Sequence, residues 1–327
     1  MIKNKKTIEA LLKEGIDASK IYYYEETTST NTLAKEKARA CADAGGSIFI
    51  AERQTAGRGK PGRQFFSPDG GIYISFVFTP ENMSAGRALN FTLAAAVAAC
   101  EAIENVTGRQ PRIKWVNDIL LDGKKIGGIL TESEIEADSG CFKWVVVGID
   151  INYCIRREDF PEELKAKAGS VYPDGQAGVS KACMVAELIN RMADIMPGAG
   201  LGCVNEAYPK TESAHAVYAV SDLGLADKGG SVSEPDLLRK GYRLSDTDIV
   251  PIENQMPDTG HTMGSLLYAD NILRRYKERL DTIGKKVDVH LAGESFQATA
   301  VDLDENGGLV IKKDEGTIKV LSSGELW

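Results

Sequence analysis

The apolar positions of this chain change period several times, and each change marks an element. Residues 6–14 are spaced for one short helix and residues 21–25 for a strand. The polar cluster Thr27-Thr28-Ser29-Thr30-Asn31 follows. Hydroxyl side chains there are natural caps for a helix predicted over 32–44. Residues 47–52 (SIFIAE) read as a buried strand. After a turn at Pro68-Asp69-Gly70-Gly71, residues 72–78 carry β-branched and aromatic side chains in strand fashion. Residues 91–105 are alanine-rich and lack Gly and Pro, which predicts a helix lying close on a sheet. Residues 112–132 carry a hairpin signal, Asp122-Gly123, between two apolar runs. Residues 143–153 predict another buried strand, and 184–195 an amphipathic helix.

Helices and strands alternate irregularly, with hairpins among them. That pattern predicts an α+β fold, a mixed β-sheet flanked by helices, over a doubly wound parallel sheet. Residues 197–265 are rich in Gly, Ser and Asp with weak periodicity, and read as an insertion. A helix over 267–281 resumes the ordered pattern. From 285 onward come short strands at 285–291, 294–303, 308–313 and 317–321, separated by glycine turns, which predicts a small SH3-like barrel. The expected division is a short extension over 1–20, a main domain over 21–282 and the barrel over 283–327.

Composition narrows the function classes. The chain has 327 residues, is 43% hydrophobic and carries a net charge of −8. A globally acidic chain is a poor general binder of nucleic acid, and any local basic cluster stands out against it. No run approaches the ~18 apolar residues of a membrane span, and residues 1–15 have no signal-peptide core. Six cysteines without a CxxC pair suit a reduced cytoplasm. Three scattered histidines predict no protein-built metal site.

The cluster that stands out is Arg53-Gln54-Thr55-Ala56-Gly57-Arg58-Gly59-Lys60-Pro61-Gly62-Arg63, with four cations and three glycines. Its G-x-G-x-x-G spacing is not a dinucleotide fingerprint, because Gly62 leads to Arg63-Gln64-Phe65-Phe66 and a proline turn, not into a helix. It is not a P-loop either, since Arg63-Gln64 replaces the Lys and Ser/Thr. Glycines let a backbone approach an anion, and Arg forks match phosphate oxygens. Alone, the segment fits a solvated surface loop equally well. Lys125, entering an apolar strand, needs an anionic partner if buried, or snorkels to water. Gly148 within a strand signals either close approach or a bulge.

Together these pieces resemble the bacterial biotin protein ligases. The resemblance rests on Ser29-Thr30-Asn31, Glu52 through Arg63, Phe66-Ser67-Pro68, Lys114-Trp115-Val116-Asn117-Asp118, Lys125-Ile126-Gly127-Gly128-Ile129-Leu130 and Gly148-Ile149-Asp150-Ile151-Asn152, in the family's order. It spans about residues 20–195 and 266–327. It implies a class II synthetase-like ligase domain that joins biotin to ATP as biotinyl-adenylate, then transfers biotin to a lysine of a biotin carboxyl carrier protein. The implied cofactor and substrates are Mg²⁺, ATP and biotin.

The resemblance assigns roles by position. Ser29, Thr30, Asn31, Gln54, Gly57, Gly59, Tyr73, Gly128 and Gly148 would form the biotin site. Arg58, Lys60 and Lys125 would serve catalysis and touch both substrates. Arg63, Phe65, Asn117, Asp118 and Asn152 would bind the nucleotide, with Mg²⁺ near Asp118. Three positions depart from the family pattern: Lys60 stands for the usual Arg, Phe65 for Trp and Val116 for Pro. A biotin-dependent repressor of the same family carries a DNA-binding domain, and some 20 residues before the first strand are too few for one, so no DNA partner is expected. No membrane partner is expected either. A lipoate or octanoate ligase shares the fold. Family members that pair sheets edge to edge make a homodimer an open expectation.

Overall fold

The computed structural model describes residues 2–60, 63–81, 83–196, 242–244, 249–251, 263–291, 294–322 and 325–326. The expected insertion at 197–265 falls almost wholly outside these. Of it, the described residues give only the strand pair β8 (Tyr242–Leu244) and β9 (Ile249–Pro251) and the first residues of a helix.

The chain opens with α1 (Ile2–Ala10), β1 (Ile21–Thr27), α2 (Thr30–Ala40), β2 (Ile48–Gln54) and β3 (Gly71–Phe78). It continues with α3 (Ala88–Thr107), β4 (Arg112–Lys114), β5 (Asp118–Leu121), β6 (Lys124–Ile135), β7 (Phe142–Asn152) and α4 (Lys181–Ile195). The helix α5 (Met263–Arg279) precedes β10 (Lys286–Leu291), β11 (Glu294–Leu303), β12 (Leu309–Lys312), β13 (Ile318–Leu321) and β14 (Glu325–Leu326). Seven strands form one mixed sheet in the order β1-β2-β3-β7-β6-β5-β4, where β1 and β2 are parallel and the other pairs antiparallel. The α+β mixed sheet is therefore as the periodicity predicts.

Residue alternation divides this sheet into two faces. Ile72, Ile74, Phe76 and Phe78 of β3 and Val145, Val147, Ile149 and Ile151 of β7 join one core with α3. Thirteen of the twenty α3 residues are buried, six of them alanines, which lets the helix approach the strands closely. Against the sequence expectation, this helix meets the length and mean hydropathy of a membrane span. Its burial between sheet and α4 accounts for that composition. On the opposite face, Ala34 of α2 packs with Phe49, Val77, Trp144 and Val146. Short of α2, that face is left to polar residues, and the cavity described below lies there.

Several boundaries differ from the sequence pattern. α1 lies at Ile2–Ala10, not 6–14, and its Ile8 is 1% exposed in the main core. Ile8, Leu11 and Lys13 thus tie this segment to the domain, with Asn190 of α4 accepting from Lys13 N and donating to Leu11 O. α2 begins at Thr30, because Ser29 takes an extended backbone and caps the first turn with its carbonyl. That shift sets Thr30 and Asn31 on the helix's opening turn. The hairpin at Asp122-Gly123 turns with positive φ at both residues (51° and 72°), as a two-residue hairpin demands.

The C-terminal strands form a five-stranded antiparallel sheet in the order β13-β12-β11-β10-β14. It abuts the main domain at Trp115, whose indole N–H donates to Gly307 O at 3.1 Å, while Trp115 N donates to Thr282 Oγ1 at 2.9 Å.

Candidate functional site

Strand register assembles the floor of the cavity. Gly148 lies opposite Ser75 on β3 and Leu130 on β6, and Asp150 lies opposite Tyr73 and Gly128. All six project from the face away from α3, within cross-strand contact range of one another. Above them is an open cavity lined by α2, β2, the β2–β3 connection and β4–β7. Gly148 is small for a visible reason: a Cβ there would stand 2.1 Å from Asn31 Oδ1.

One wall is a chain of polar side chains. Gln54 Nε2 donates to Asp150 Oδ2 and to Ser67 Oγ, both at 3.1 Å. Its Oε1 accepts from Thr30 N at 2.9 Å and Thr30 Oγ1 at 3.2 Å. Ser75 Oγ lies 2.8 Å from Thr30 Oγ1 and 2.6 Å from Asn31 Oδ1. Asn31 Nδ2 donates to Leu130 O at 3.2 Å and to Glu132 Oε2 at 3.0 Å. Thr30, Asn31, Gln54, Ser67, Ser75 and Asp150 are almost fully buried, so each polar atom there needs a partner or a ligand.

The other wall is cationic. Arg58, Lys60, Arg63, Lys114 and Lys125 all line the cavity, against the carboxylates Asp118 and Asp150. Lys125 Nζ donates to Asp118 Oδ1 at 2.6 Å. Lys114 has its pKa lowered, first by burial and then by Lys125, Lys167 and Arg63, with Asp118 opposing. An excess of positive charge in a chain of net −8 is a site for an anion. Asp150 has the opposite problem. Burial pushes its carboxyl up to about 7, against the hydrogen bond from Gln54 and the charge of Lys125.

The loop between β2 and β3 folds as a short hairpin over this wall. Phe65 N donates to Gly57 O at 3.1 Å, Gly59 N to Arg63 O at 3.1 Å and Arg63 N to Lys60 O at 2.9 Å. Arg58 Nη2 reaches Glu132 Oε1 at 3.2 Å, where Lys35 Nζ also donates at 2.7 Å. Phe65 lies over Gly128, its ring 3.6 Å from where a Cβ would be.

Most residues expected at the site are brought together: Ser29, Thr30, Asn31, Gln54, Arg58, Gly59, Lys60, Arg63, Phe65, Asn117, Asp118, Lys125, Gly128 and Gly148. Three, Tyr73, Gly57 and Asn152, do not line the cavity. Tyr73 is 0% exposed beneath the β2–β3 connection, its hydroxyl donating to Pro68 O at 2.7 Å. Gly57 is buried within the hairpin, where a Cβ would stand 2.3 Å from Phe65 O and from Ser67 Oγ. Asn152 is 3% exposed and spends its amide N–H on Gly169 O at 2.9 Å, holding the 169–171 segment. Arg53, counted with the loop cations, points to solvent and pairs with Glu26 at 2.6 Å. Sequence reasoning missed Asp150, Ser75 and Glu132. A lone carboxylate in the apolar run Val145 to Ile151 was a usable signal for the first. No group of three His, Cys, Asp or Glu among the described residues is placed to hold a metal ion.

The site is thus a polar and cationic cavity on a mixed sheet, followed by a small antiparallel sheet. Residues 23–152 match the Biotin/lipoate A/B protein ligase family, and residues 282–326 match the Biotin protein ligase C terminal domain. The chain belongs to the biotin protein ligase family. The bifunctional ligase/repressor BirA of Bacillus subtilis (strain 168) is 36% identical over 179 residues, covering 54% of each chain. The biotin–[acetyl-CoA-carboxylase] ligase of Paracoccus denitrificans is 36% identical over 128 residues, covering 38% of this chain and 51% of its own. The chain thus spans about half the length of the curated relatives it matches. The biotin protein ligase from Aquifex aeolicus, solved in complex with biotin and ATP, shares the fold at a TM-score of 0.59 and 22% identity, covering 94% of this chain and 97% of that one.

Proposed function

We propose that this chain is an ATP-dependent biotin protein ligase. The observation that carries the reading is the pairing, in one cavity, of a buried polar wall with a cationic wall. The Ser29-Thr30-Asn31-Gln54 side suits a small polar ring system, and Arg58, Lys60, Arg63 and Lys125 suit a carboxylate beside phosphates. The domain division that goes with it is a ligase domain over 21–282, preceded by the 1–20 segment and followed by the C-terminal unit over 283–327.

In the first half-reaction a biotin carboxylate oxygen attacks the α-phosphorus of ATP. The new C(O)–O–P linkage forms as the Pα–Oβ bond breaks, and pyrophosphate leaves with the electron pair. Both reactants are anions, so the barrier is lowered mainly by positioning and by fixed positive charge. Lys125 leaves Asp118 and turns to the carboxylate and α-phosphate oxygens. Arg58 and Lys60 close over the same atoms from the hairpin, Arg63 takes the outer phosphates and Phe65 stacks beside the adenine. Asn117 holds the β4–β5 turn through Ile129 O at 2.9 Å and faces the nucleotide. Mg²⁺ would arrive with the triphosphate beside Asp118, which lies 2.6 Å from Lys125 Nζ, since no group of three His, Cys, Asp or Glu among the described residues is placed to hold a metal ion. It would neutralise phosphate charge.

In the second half-reaction a carrier lysine amine attacks the acyl carbon. The C–N bond forms, the acyl C–O bond to phosphate breaks, AMP leaves and the amine gives up a proton. The partner is a biotin carboxyl carrier protein of a carboxylase, in the cytoplasm. The test is incubation with ATP, Mg²⁺ and either biotin, lipoate or octanoate, followed by detection of pyrophosphate, adenylate and labelled carrier. Turnover with biotin alone is expected, and turnover only with lipoate or octanoate would overturn the reading. The kinship with a bifunctional ligase/repressor gives a second reading, sequence-specific DNA binding, which a gel shift on the promoter of the biotin genes decides.

A further inference from the structure

The cavity floor holds a carboxylate that the reaction just outlined does not use. Asp150 is 9% exposed and lines the cavity. One of its oxygens, Oδ2, accepts from Gln54 Nε2 at 3.1 Å. Its other oxygen accepts from no described residue. Asp150 is the direct cross-strand partner of Gly128. A Cβ on Gly128 would stand 3.7 Å from Lys125 Nζ, so the ammonium lies over that glycine and beside Asp150. Lys125 is therefore flanked by two carboxylates, Asp118 in contact and Asp150 across the strand pair.

This arrangement has a consequence for any ligand bearing its own carboxylate. Bringing a third anion to one ammonium already flanked by Asp118 and Asp150 sets it against Asp150. Like charges sharing a site cannot both stay ionised cheaply, and the more deeply buried one takes a proton. We propose that Asp150 is a specificity-determining residue that admits the anionic end of the substrate to Lys125 by taking up a proton as the substrate binds. The inference rests on the biotin reading above.

The remaining geometry is consistent with that role. A protonated Asp150 keeps Gln54 as donor to Oδ2 and gains an O–H of its own to offer the incoming carboxylate. Its ordinary carboxyl would be ionised far below neutral pH, but burial has already moved it to about 7, so the proton is available under physiological conditions. The groups facing it are Tyr73 on β3, Lys125 on β6 with Asp118 of β5 behind it, and Gln54 on β2, held by Ser67. Tyr73 is pushed up by burial and does not titrate near neutrality. Lys114 is lowered and lies on the same cavity, so the control must separate the two.

The test is calorimetric titration of biotin into the full chain between pH 7 and 8.5, in two buffers of different ionisation enthalpy, without ATP. The wild-type protein is expected to take up close to one proton per biotin at the upper end, and its Kd to weaken up to about tenfold per pH unit there. Asp150→Asn keeps the acceptor for Gln54 and removes the titration. It is expected to bind biotin with no proton uptake and a Kd that varies less than about twofold over that range. Biotin carboxamide, which lacks the charge, should bind the wild type without proton uptake. Biotin binding with no proton uptake in the wild type, or equal uptake in Asp150→Asn, overturns the proposal and leaves the ligase reading standing. No biotin binding to either protein at any pH overturns both.

Discussion

Lys125 Nζ donates to Asp118 Oδ1 at 2.6 Å, and both residues line the cavity. The pair holds the ammonium at the strand start, where it can rotate from one carboxylate to another without leaving the site. An ammonium so placed needs little reorganisation when phosphate charge develops, which is the condition for strong electrostatic catalysis.

Removing that charge is the sharpest test of the mechanism. Lys125→Ala should lower the rate of adenylate formation by ~10²-fold or more, the scale for one oriented charge stabiliser. Pyrophosphate release under saturating biotin and ATP measures it. A rate near that of the wild type would remove Lys125 from the chemistry.

The hairpin is tied down by Glu132, which holds Arg58 at 3.2 Å, Lys35 at 2.7 Å and Asn31 at 3.0 Å. Glu132→Gln keeps the shape and removes the charge. The KM for biotin is expected to rise by roughly tenfold, as about 1.4 kcal/mol of positioning is lost, with a smaller change in kcat. Steady-state kinetics supply the split. A fall in kcat at unchanged KM would assign Glu132 a different role.

Lys60 offers a point charge where an Arg would offer a planar fork. Lys60→Arg is expected to slow release of the adenylate several-fold, because a bidentate pair holds phosphate with two parallel bonds. Gel filtration of the preformed complex, followed by assay of the retained nucleotide, measures the half-life.

Asp150 also makes stability depend on pH. Its folded value of about 7 lies above the unfolded carboxylate range. The native state thus binds the proton more tightly, and this stabilising contribution is complete below about pH 4. It is lost as pH rises through 7. Asp150→Asn should therefore be more stable than the wild type at pH 8, by roughly 3 kcal/mol or less, with that advantage shrinking toward pH 5. Urea melts at the two pH values check the sign. An advantage that grows toward low pH would contradict the burial of this carboxyl.

Most of the main sheet and the loop were legible from the chain itself. The strands β2, β3 and β7 are signalled by short apolar runs, and α3 by an alanine run that only close helix–sheet packing explains. Structure and sequence pattern part where a local pattern has more than one tertiary solution. Tyr73 reads as a site aromatic, yet it alternates onto the site face only to be covered by the β2–β3 connection. Asn152 belongs to a binding-type motif, yet the strand's end carries it to Gly169. Ser75 has no motif at all and enters only through its register with Gly148.

By itself, then, the sequence determined the period of each element, the sign of the Arg58–Arg63 loop and the presence of Lys125 at a strand start. Those properties are local, set by side-chain chemistry and spacing along a few residues. Tertiary structure alone decided which charges meet. Glu132 reaches Asn31 across 101 residues and Gln54 reaches Asp150 across 96. Such contacts depend on strand register, and a one-residue slip would turn every one of these side chains to the other face.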